Sequence, residues 1–194
     1  MRFEAPDTAA MEAFGRELGA MLRAGDVVVL TGPLGAGKTT LTRGIGAGLG
    51  VRGPVQSPTF VLARTHPSLI GGAPLVHVDA YRLGSAALLD DLDLDFDRSV
   101  VVVEWGAGLV DDVTDSWLEI VIDRPTGARA TDAATDAATD AATDAEHVVA
   151  PDADTDADAD AADADAALDA DEPRVVTATG FGPRWAATPF AAPA

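Results

Sequence analysis

Hydrophobic residues along this chain follow two patterns, helical spacing and short, largely apolar runs. Between residues 7 and 23, Met11, Phe14, Leu18 and Met21–Leu22 recur at helical spacing, which predicts an amphipathic helix with Asp7 or Thr8 as its N-cap. Short apolar runs, many of them rich in β-branched residues, predict buried strands. These runs cover residues 27–30, 75–79, 99–104, 117–122 and 174–179.

Weaker patterns fill the intervals between these elements. A second helix is predicted further along the chain, with Leu41, Ile45 and Leu49 on one face. Residues 61–64 are interpreted as a short strand, and residues 85–97 as a short helix and a loop. Because strands alternate with helical patterns, the sequence predicts a single α/β domain with a mostly parallel central sheet flanked by helices.

One long segment, residues 131–172, has a composition unlike the rest. It holds 15 of the 32 acidic residues, in repeated Thr-Asp-Ala-Ala tetrads and then Asp-Ala pairs. A helix would stack like charges at i and i+4, and there is little apolar surface to bury, so we expect disorder. Residues 117–122 and 174–179 are expected to form an antiparallel hairpin that carries this insertion at its tip. A tolerated insertion is favoured over an acidic interaction arm, since long surface loops add little closure entropy. The expected domain comprises residues 1–130 and 173–188, with 189–194 as a tail.

Charge and composition narrow the classes of protein that remain. The formal net charge is −19, but outside the acidic segment 17 acidic residues accompany 13 basic ones, so the domain itself is only mildly acidic. No basic tract is present that could bind nucleic acid by electrostatics alone. The chain has no cysteine, no signal-peptide pattern at its start and no apolar run long enough to cross a membrane. We therefore expect a cytoplasmic protein without membrane contact.

The clearest chemical motif lies between the first predicted strand and the helix that follows it. Residues 32–39 read GPLGAGKT, a full match to the phosphate-binding loop G-x-x-x-x-G-K-[S/T]. Gly35 and Gly37 allow a tight turn that points backbone N–H groups at phosphate oxygens, and the helix N-terminus adds partial positive charge. Lys38, the only lysine, can bridge the β- and γ-phosphates, and the Thr39 hydroxyl can ligate Mg²⁺. A glycine-rich turn without a ligand is the disfavoured alternative.

Two carboxylates, Asp79 and Glu104, end two of the predicted strands. In an ATP-binding fold, Mg²⁺ and the attacking water lie beside such strand ends, so one carboxylate can hold Mg²⁺ while the other orients or deprotonates the water. Their spacing in the sequence does not assign the two roles. Each could instead only cap its strand, which is the less favoured interpretation.

Several nearby residues carry weaker signals. The tripeptide Ser57-Pro58-Thr59 could sense the γ-phosphate or form an ordinary turn. His77 shares a strand face with the carboxylate two positions later and could support the site, although a histidine packed in the core is favoured. Tyr81 and Arg82 could anchor their loop or contact phosphate, and Trp105 could contact a ligand or cover the core.

The phosphate-binding loop leaves several classes of nucleotide-binding protein open. A GTPase is disfavoured, because guanine recognition usually uses N-K-x-D and the single lysine already lies in the loop. A transporter ATPase is disfavoured by the short chain and the lack of a signature loop. A small-molecule kinase and a nucleotide-dependent binding module remain alternatives. The late acidic segment argues against the arginine-bearing lid that such kinases often have.

Taken in order, the motifs resemble those of one family. GPLGAGKTTLTRGIGAGLG is followed by SPTF, VHVDAYRL and VVEW, and finally by a strand with GPRW. This series is similar to the bacterial TsaE (YjeE-type) family, the P-loop ATPases of tRNA threonylcarbamoyladenosine biosynthesis, over roughly residues 5–125 and 173–186. The resemblance implies a P-loop NTPase-like fold that binds ATP and Mg²⁺ and hydrolyses ATP weakly on its own. It also implies TsaD and TsaB as partners in modifying the adenosine next to the anticodon, with tRNA involved only indirectly.

The same resemblance implies roles for individual residues. Thr39 and Glu104 would hold Mg²⁺, Asp79 would be essential for hydrolysis, and Lys38 would be catalytic as well as phosphate-binding. Two features depart from the family: Pro33 stands where an acidic residue is common, and the acidic insertion has no counterpart. The implied nucleotide-binding residues are Thr8, Gly32, Gly35, Ala36, Gly37, Lys38, Thr39 and Thr40.

Overall fold

The architecture is taken from a computed structural model that describes residues 1–58, 61–83, 86–90, 92, 94–124 and 172–193. Strands and helices alternate through most of the chain, as predicted. The predicted disorder of residues 131–172 and the predicted hairpin tip fall outside the described residues, apart from Glu172. The elements are β1 (Arg2–Ala5), α1 (Thr8–Gly19), β2 (Val27–Thr31), α2 (Lys38–Leu49), β3 (Ala63–His66), β4 (Leu75–Asp79), α3 (Ala86–Asp90), β5 (Val100–Glu104), β6 (Trp117–Asp123) and β7 (Arg174–Phe181).

All seven described strands belong to one sheet with the order β1-β7-β6-β2-β5-β4-β3. The four central strands β6, β2, β5 and β4 are mutually parallel. The outer strands β3, β7 and β1 pair in antiparallel fashion. The sheet is therefore mixed, and the prediction of a mostly parallel sheet holds for its centre only. In this arrangement the ends of β2, β4 and β5 lie at one edge.

Strands β6 and β7 form the antiparallel pair that the sequence predicts. Trp117 lies opposite Phe181 and Asp123 opposite Val175, so both strands are longer than predicted. Because β6 runs parallel to β2, the end of β6 and the start of β7 lie at the same edge as the end of β2. Arg124, directly after β6, and Glu172, two residues before β7, therefore lie at that edge.

The two faces of the sheet carry separate hydrophobic cores. Helices α1 and α2 cover one face, and the predicted apolar positions on them, from Met11 on α1 to Leu49 on α2, are buried there. Beyond the end of α1, Leu22 is buried as well, but the predicted apolar position Met21 is 51% exposed. On the other face, Leu83, Leu89 and Val110 cover the alternate residues of the same strands. Helices or helical turns thus flank both faces. Among the helices formed by the described residues, none is both long and apolar enough to cross a bilayer.

Glycines bring α1 and α2 into close contact. A Cβ atom on Gly15 would lie 2.5 Å from the carbonyl oxygen of Leu41 and 2.9 Å from the Cα atom of Gly44. Gly19 and Gly48 approach the opposing backbone in the same way. A glycine costs about 1 kcal/mol relative to alanine inside a helix, so the glycine-rich α2 depends on this packing.

Helix α1, strand β3 and strand β1 differ from the prediction as well. Helix α1 begins after the N-cap Asp7 but ends at Gly19 rather than near residue 23. The carboxylate of Asp26 accepts a hydrogen bond from the amide of Arg23 at 3.0 Å, which closes a turn instead of continuing the helix. Strand β3 begins at Ala63, because Leu62 has a φ of 65°, a left-handed conformation that interrupts an extended strand. Strand β1 lacks an apolar run, and only Ala5 is buried within it.

The C-terminal segment packs onto the domain beyond residue 188, where the sequence predicts the domain to end. Phe190 is buried beside Trp185, and the amide of Ala192 donates to the carbonyl of Gly180 at 3.1 Å. Arg184 donates through Nε and Nη2 to the two carboxylate oxygens of Asp26, at 2.8 and 2.9 Å. The GPRW motif therefore ties the chain end to the start of β2.

Candidate active site

The loop between β2 and α2 has the shape of a phosphate-binding loop. Gly35 and Gly37 have φ values of 72° and 98°, a region that residues with a Cβ rarely adopt. Gly32 allows close packing, since a Cβ there would lie 2.6 Å from the carbonyl oxygen of Ile122. Ala36 and Thr40 are buried around the turn. The predicted loop residues are therefore brought together at the end of β2.

Helix α2 begins inside this loop. Gly37 occupies its N-cap position and has no side chain with which to cap the first amides. The helix N-terminus therefore combines amide donors with the positive end of the helix dipole. The first residue of the helix, Lys38, is 5% exposed and folds back over the loop. Its Nζ donates to the carbonyl oxygens of Gly32 and Pro33 at 2.9 and 3.0 Å.

A hydrogen-bonded cluster joins α2 to the ends of β4 and β5. The hydroxyl of Thr39 donates to Oε1 of Glu104 at 3.0 Å. Nε2 of His77 lies 2.8 Å from the same oxygen, and both His77 and Glu104 are buried. The favoured interpretation of His77 as a packed core histidine is incomplete, because its ring contacts a predicted site carboxylate.

Asp79 and Glu104 lie opposite each other in the parallel pair formed by β4 and β5. Asp79 is 6% exposed, and its Oδ1 accepts a hydrogen bond from the amide of Tyr81 at 3.0 Å. The amide of Ala80 donates to the carbonyl of Glu104 at 2.9 Å, which keeps the two strand ends together. The structure thus places both predicted carboxylates at the edge that carries the glycine loop.

Two aromatic side chains border this cluster. Trp105, directly after β5, has a φ of 62°, and its ring lies 3.7 Å from Nζ of Lys38, measured to the ring centroid. Tyr81 contacts the Trp105 ring edge-on, with 5.4 Å between centroids, and is 72% exposed. Trp105 therefore contacts the loop lysine, whereas Tyr81 supports its own loop through its amide.

Two arginines that the sequence analysis did not single out also reach the loop. Nη1 of Arg124 donates to the carbonyl oxygen of Gly35 at 3.1 Å, and its Nε forms an ion pair with Glu172 at 2.6 Å. Nε of Arg174 lies 3.7 Å from the position that a Cβ on Gly37 would occupy. These residues flank the acidic insertion. Their proximity to the loop follows only from the pairing of β6 with β2, which the sequence does not reveal.

The remaining predicted residues are less closely tied to the loop. Thr8 is the first residue of α1, and Met11 one turn later lies 3.8 Å from the same Cβ position on Gly37. This contact brings the start of α1 towards the loop. Ser57 is half-buried in the segment before β3, whereas Thr59 lies outside the described residues. Within the described ranges, no group of three or more His, Asp or Glu side chains could hold a metal alone.

Comparisons with known proteins agree with this fold and motif order. Residues 5–131 match the family model described as Threonylcarbamoyl adenosine biosynthesis protein TsaE. A Streptomyces coelicolor protein named tRNA threonylcarbamoyladenosine biosynthesis protein TsaE is 49% identical over 179 residues, covering 91% of this chain and 94% of that protein. A Bacillus subtilis protein of the same name is 38% identical over 116 residues, covering 58% and 71%. The crystal structure of Bacillus subtilis YdiB matches with a TM-score of 0.51 and 34% identity, over 64% of this chain and 76% of that one. The predicted resemblance is confirmed, and the chain belongs to the TsaE family.

Proposed function

We propose that this chain is an ATP-binding and ATP-hydrolysing subunit required for threonylcarbamoyladenosine modification of tRNA next to the anticodon, acting with TsaD and TsaB. The observation that carries the proposal is the Thr39–Glu104 contact of 3.0 Å at the start of α2. It joins the motif hydroxyl of a phosphate-binding loop to a buried carboxylate on a neighbouring parallel strand, as nucleotide hydrolysis requires.

The glycine loop supports binding of a nucleoside triphosphate. The positive φ angles of Gly35 and Gly37 and the uncapped start of α2 favour an anion beside the loop amides. Lys38 already lies against the loop carbonyls, and it would exchange these neutral acceptors for phosphate oxygens, which form stronger charge-assisted hydrogen bonds. Its role is to neutralise phosphate charge.

The residues present also suit Mg²⁺. Thr39 and Glu104 supply a hydroxyl and a carboxylate oxygen within 3.0 Å of each other, and Mg²⁺ prefers oxygen ligands together with phosphates and waters. Since no larger cluster of candidate ligands occurs among the described residues, these two side chains would share the ion with nucleotide phosphates. When bound, Mg²⁺ supplies positive charge that offsets the charge developing on the phosphates.

Asp79 is the carboxylate that we assign to the attacking water. It lies opposite Glu104 in the sheet and is held by the Tyr81 amide, which leaves oxygen atoms able to accept a hydrogen bond from water. Such a carboxylate orients the water and can take its proton. In this assignment Glu104 binds Mg²⁺ and Asp79 positions the attacking water.

Partner control of this weak Mg²⁺-dependent ATPase has one structural support. Leu34, Val61 and Tyr81 are exposed apolar residues from the glycine loop, the segment before β3 and the turn after β4. Val61 and Tyr81 lie near each other in the fold because β3 starts beside the end of β4. Leu34 lies in the glycine loop at the same edge of the sheet, so all three lie near the site. Apolar groups exposed together at one edge favour contact with another protein.

The direct test measures ATP binding and turnover together. Calorimetry with and without Mg²⁺ gives the affinity, and phosphate release is measured for the chain alone and with TsaD and TsaB. Thr39→Val and Glu104→Gln are expected to lower Mg²⁺-dependent binding and turnover, since each removes a proposed Mg²⁺ ligand. Thr65→Val and Glu17→Gln make the same chemical changes at exposed positions of β3 and α1 and should leave both properties unchanged.

Three outcomes would count against the proposal. Absence of Mg²⁺-dependent nucleotide binding would contradict the assignment of the site itself. Transfer of phosphate to a metabolite, with no dependence on TsaD or TsaB, would instead favour the small-molecule kinase. Partner binding that needs ATP while hydrolysis is dispensable for the modification would favour the nucleotide-dependent binding module.

A further inference from the structure

His77 is a buried polar residue in the middle of an otherwise apolar strand. Its neighbours along β4 are valines, and its ring is fully shielded from solvent. Nε2 lies 2.8 Å from Oε1 of Glu104. Because an ionised carboxylate only accepts hydrogen bonds, Nε2 carries the hydrogen in this contact.

Oε1 of Glu104 thereby receives two hydrogen bonds from different elements, one from Thr39 on α2 and one from His77 on β4. The two donors do not have equivalent roles in the proposed site. The hydroxyl of Thr39 would bind the cation through its oxygen. His77 makes its contact from inside the sheet, so its bond can persist and hold the carboxylate in place when Mg²⁺ is present.

We propose that His77 is a positioning residue that fixes the Glu104 carboxylate for Mg²⁺ shared with Thr39 and the nucleotide phosphates. This inference rests on the function proposed above. Groups that hydrogen-bond to a metal ligand orient that ligand and raise metal affinity. His77 would therefore raise the affinity of the site for Mg²⁺ without contacting the nucleotide.

The alternative is a histidine retained only for packing. The neighbouring residues argue against a packing role alone. Val76 and Val78 are buried in the same strand, and an aliphatic side chain at position 77 would pack there equally well. Nδ1 of His77 is buried and has no hydrogen-bond partner among the described residues. Burying an unpaired nitrogen costs free energy, and a ring that only filled space would incur this cost with nothing to offset it. The hydrogen bond from Nε2 to Glu104 gives the ring a role that offsets the cost.

The experiment compares His77→Leu with His77→Gln. Leucine removes the donor and keeps an apolar side chain, whereas the glutamine amide can place an N–H near the position of Nε2. ADP binding is followed by calorimetry as Mg²⁺ is increased, and melting temperatures identify variants that do not fold. For His77→Leu we expect the Mg²⁺ concentration at half-maximal binding to rise about 10–100-fold, the usual effect of losing such a partner. ADP affinity without Mg²⁺ should stay unchanged, and His77→Gln should remain within a few-fold of wild type.

The outcomes separate this inference from the proposed function. If wild-type protein shows no Mg²⁺-dependent ADP binding, both are overturned. If wild type shows it and folded His77→Leu has the same Mg²⁺ requirement, only the positioning role is overturned. A folded His77→Gln variant as impaired as His77→Leu would also contradict it, because the donor would then not be the relevant property.

A second measurement does not depend on any variant folding. Long-range nitrogen–proton NMR spectra of the wild-type chain distinguish a ring protonated at Nε2 from one protonated at Nδ1. We expect hydrogen at Nε2, both before and after addition of ADP and Mg²⁺. A ring with hydrogen only at Nδ1 could not donate to Glu104 and would overturn the inference.

Discussion

The ammonium group of Lys38 lies 3.7 Å from the centroid of the Trp105 ring. Trp105 reaches this position from the end of β5 in a left-handed backbone conformation, with a φ of 62° and its amide donating to the carbonyl of Leu30 at 2.9 Å. A non-glycine residue in this region costs of order 1 kcal/mol or more, so the surrounding contacts must hold it there. The strained residue thus joins the loop lysine to the strand that carries Glu104.

Nucleotide binding should change the fluorescence of Trp105, because Lys38 would move towards phosphate and leave the face of the indole. We expect the emission of the wild-type chain to change on addition of ATP and Mg²⁺, and this change to disappear in Trp105→Phe. Trp117→Phe is the matched control, since Trp117 stacks on Phe181 at the start of β6. A nucleotide-dependent signal that survives in Trp105→Phe would contradict the contact between Lys38 and this ring.

Asp79→Asn should separate ATP binding from hydrolysis. The asparagine oxygen can still accept the hydrogen bond from the Tyr81 amide, so the turn after β4 should remain. The amide cannot take a proton from water, and loss of a general base typically lowers turnover about 10²–10⁴-fold. Phosphate release stimulated by TsaD and TsaB, measured beside calorimetric ATP binding, tests both expectations.

Asp79→Ala provides the comparison for this prediction. Alanine removes the turn acceptor as well as the carboxylate, so its melting temperature should fall below that of Asp79→Asn. Turnover in Asp79→Asn close to that of wild type would mean that another group positions the water.

Arg124→Met should weaken nucleotide binding by loosening the glycine loop. Its guanidinium donates to the carbonyl of Gly35, and a hydrogen bond with a charged partner contributes about 1.5–3 kcal/mol. The side chain is partly exposed, so we expect a loss of about tenfold in ATP affinity, at the lower end of that range. Glu172→Gln removes the charge from its ion-pair partner, keeps Arg124 and should have a smaller effect. Equal losses in the two variants would show that the ion pair, rather than the loop contact, matters.

The sequence allowed the loop, the two carboxylates and the central strands to be predicted, because each leaves a local signature. The glycine loop is a contiguous motif, and Asp79 and Glu104 end largely apolar runs whose burial the structure confirms. Parallel neighbours then follow from the alternation of strands and helices. These parts of the site lie on elements whose pattern is visible within a few residues.

The parts that could not be predicted depend on strand order. Arg124 and Arg174 reach the glycine loop because β6 pairs with β2, and this pairing joins segments far apart in the chain. The contact between His77 and Glu104 likewise requires β4 to lie beside β5. The two-residue period of a strand predicted that His77 and Asp79 share one face, but it did not predict that His77 contacts Glu104. Strand β1 was not predicted, because only Ala5 is buried in it and its sequence therefore shows no apolar pattern.

Gly44→Ala should destabilise the domain through the contact between α1 and α2. An added Cβ would overlap the backbone of Glu12 and lie 2.9 Å from the Cα atom of Gly15, so the helices would have to move apart. Overpacking of this kind costs about 1–3 kcal/mol, which exceeds the gain of about 1 kcal/mol in helix propensity. Urea unfolding should show a lower midpoint with an unchanged slope.

Gly72→Ala is the control for this prediction. A Cβ there would meet only the Ser68 hydroxyl, at 3.6 Å, in the turn before β4. Its unfolding midpoint should match that of wild type. A Gly44→Ala variant as stable as wild type would mean that the two helices can separate without cost.

Stability should decrease as the solution is acidified, in part because of His66. This histidine is buried on β3, and burial lowers its pKa below the usual value of 6.5, while the hydrogen bond between Nδ1 and the carbonyl of Arg52 opposes the shift. Electrostatic interactions with His77 and Arg64 lower the pKa further. Between the folded and unfolded pKa values the unfolded chain binds more protons, so the free energy of unfolding rises with pH in that window. The contribution of His66 is complete above the unfolded value and is lost progressively below it.

Replacement by asparagine isolates this contribution. His66→Asn keeps a side-chain donor for the carbonyl of Arg52 but removes the titrating ring. Urea unfolding of both proteins at about pH 5.5 and about pH 7.5, on either side of the usual histidine pKa, should show a larger loss of stability on acidification for wild type. The variant can be less stable at both pH values, because the smaller side chain leaves space in the core, so only the pH-dependent difference is diagnostic. Equal pH dependence in the two proteins would contradict a lowered pKa for His66 and would direct attention to the carboxylates of the site.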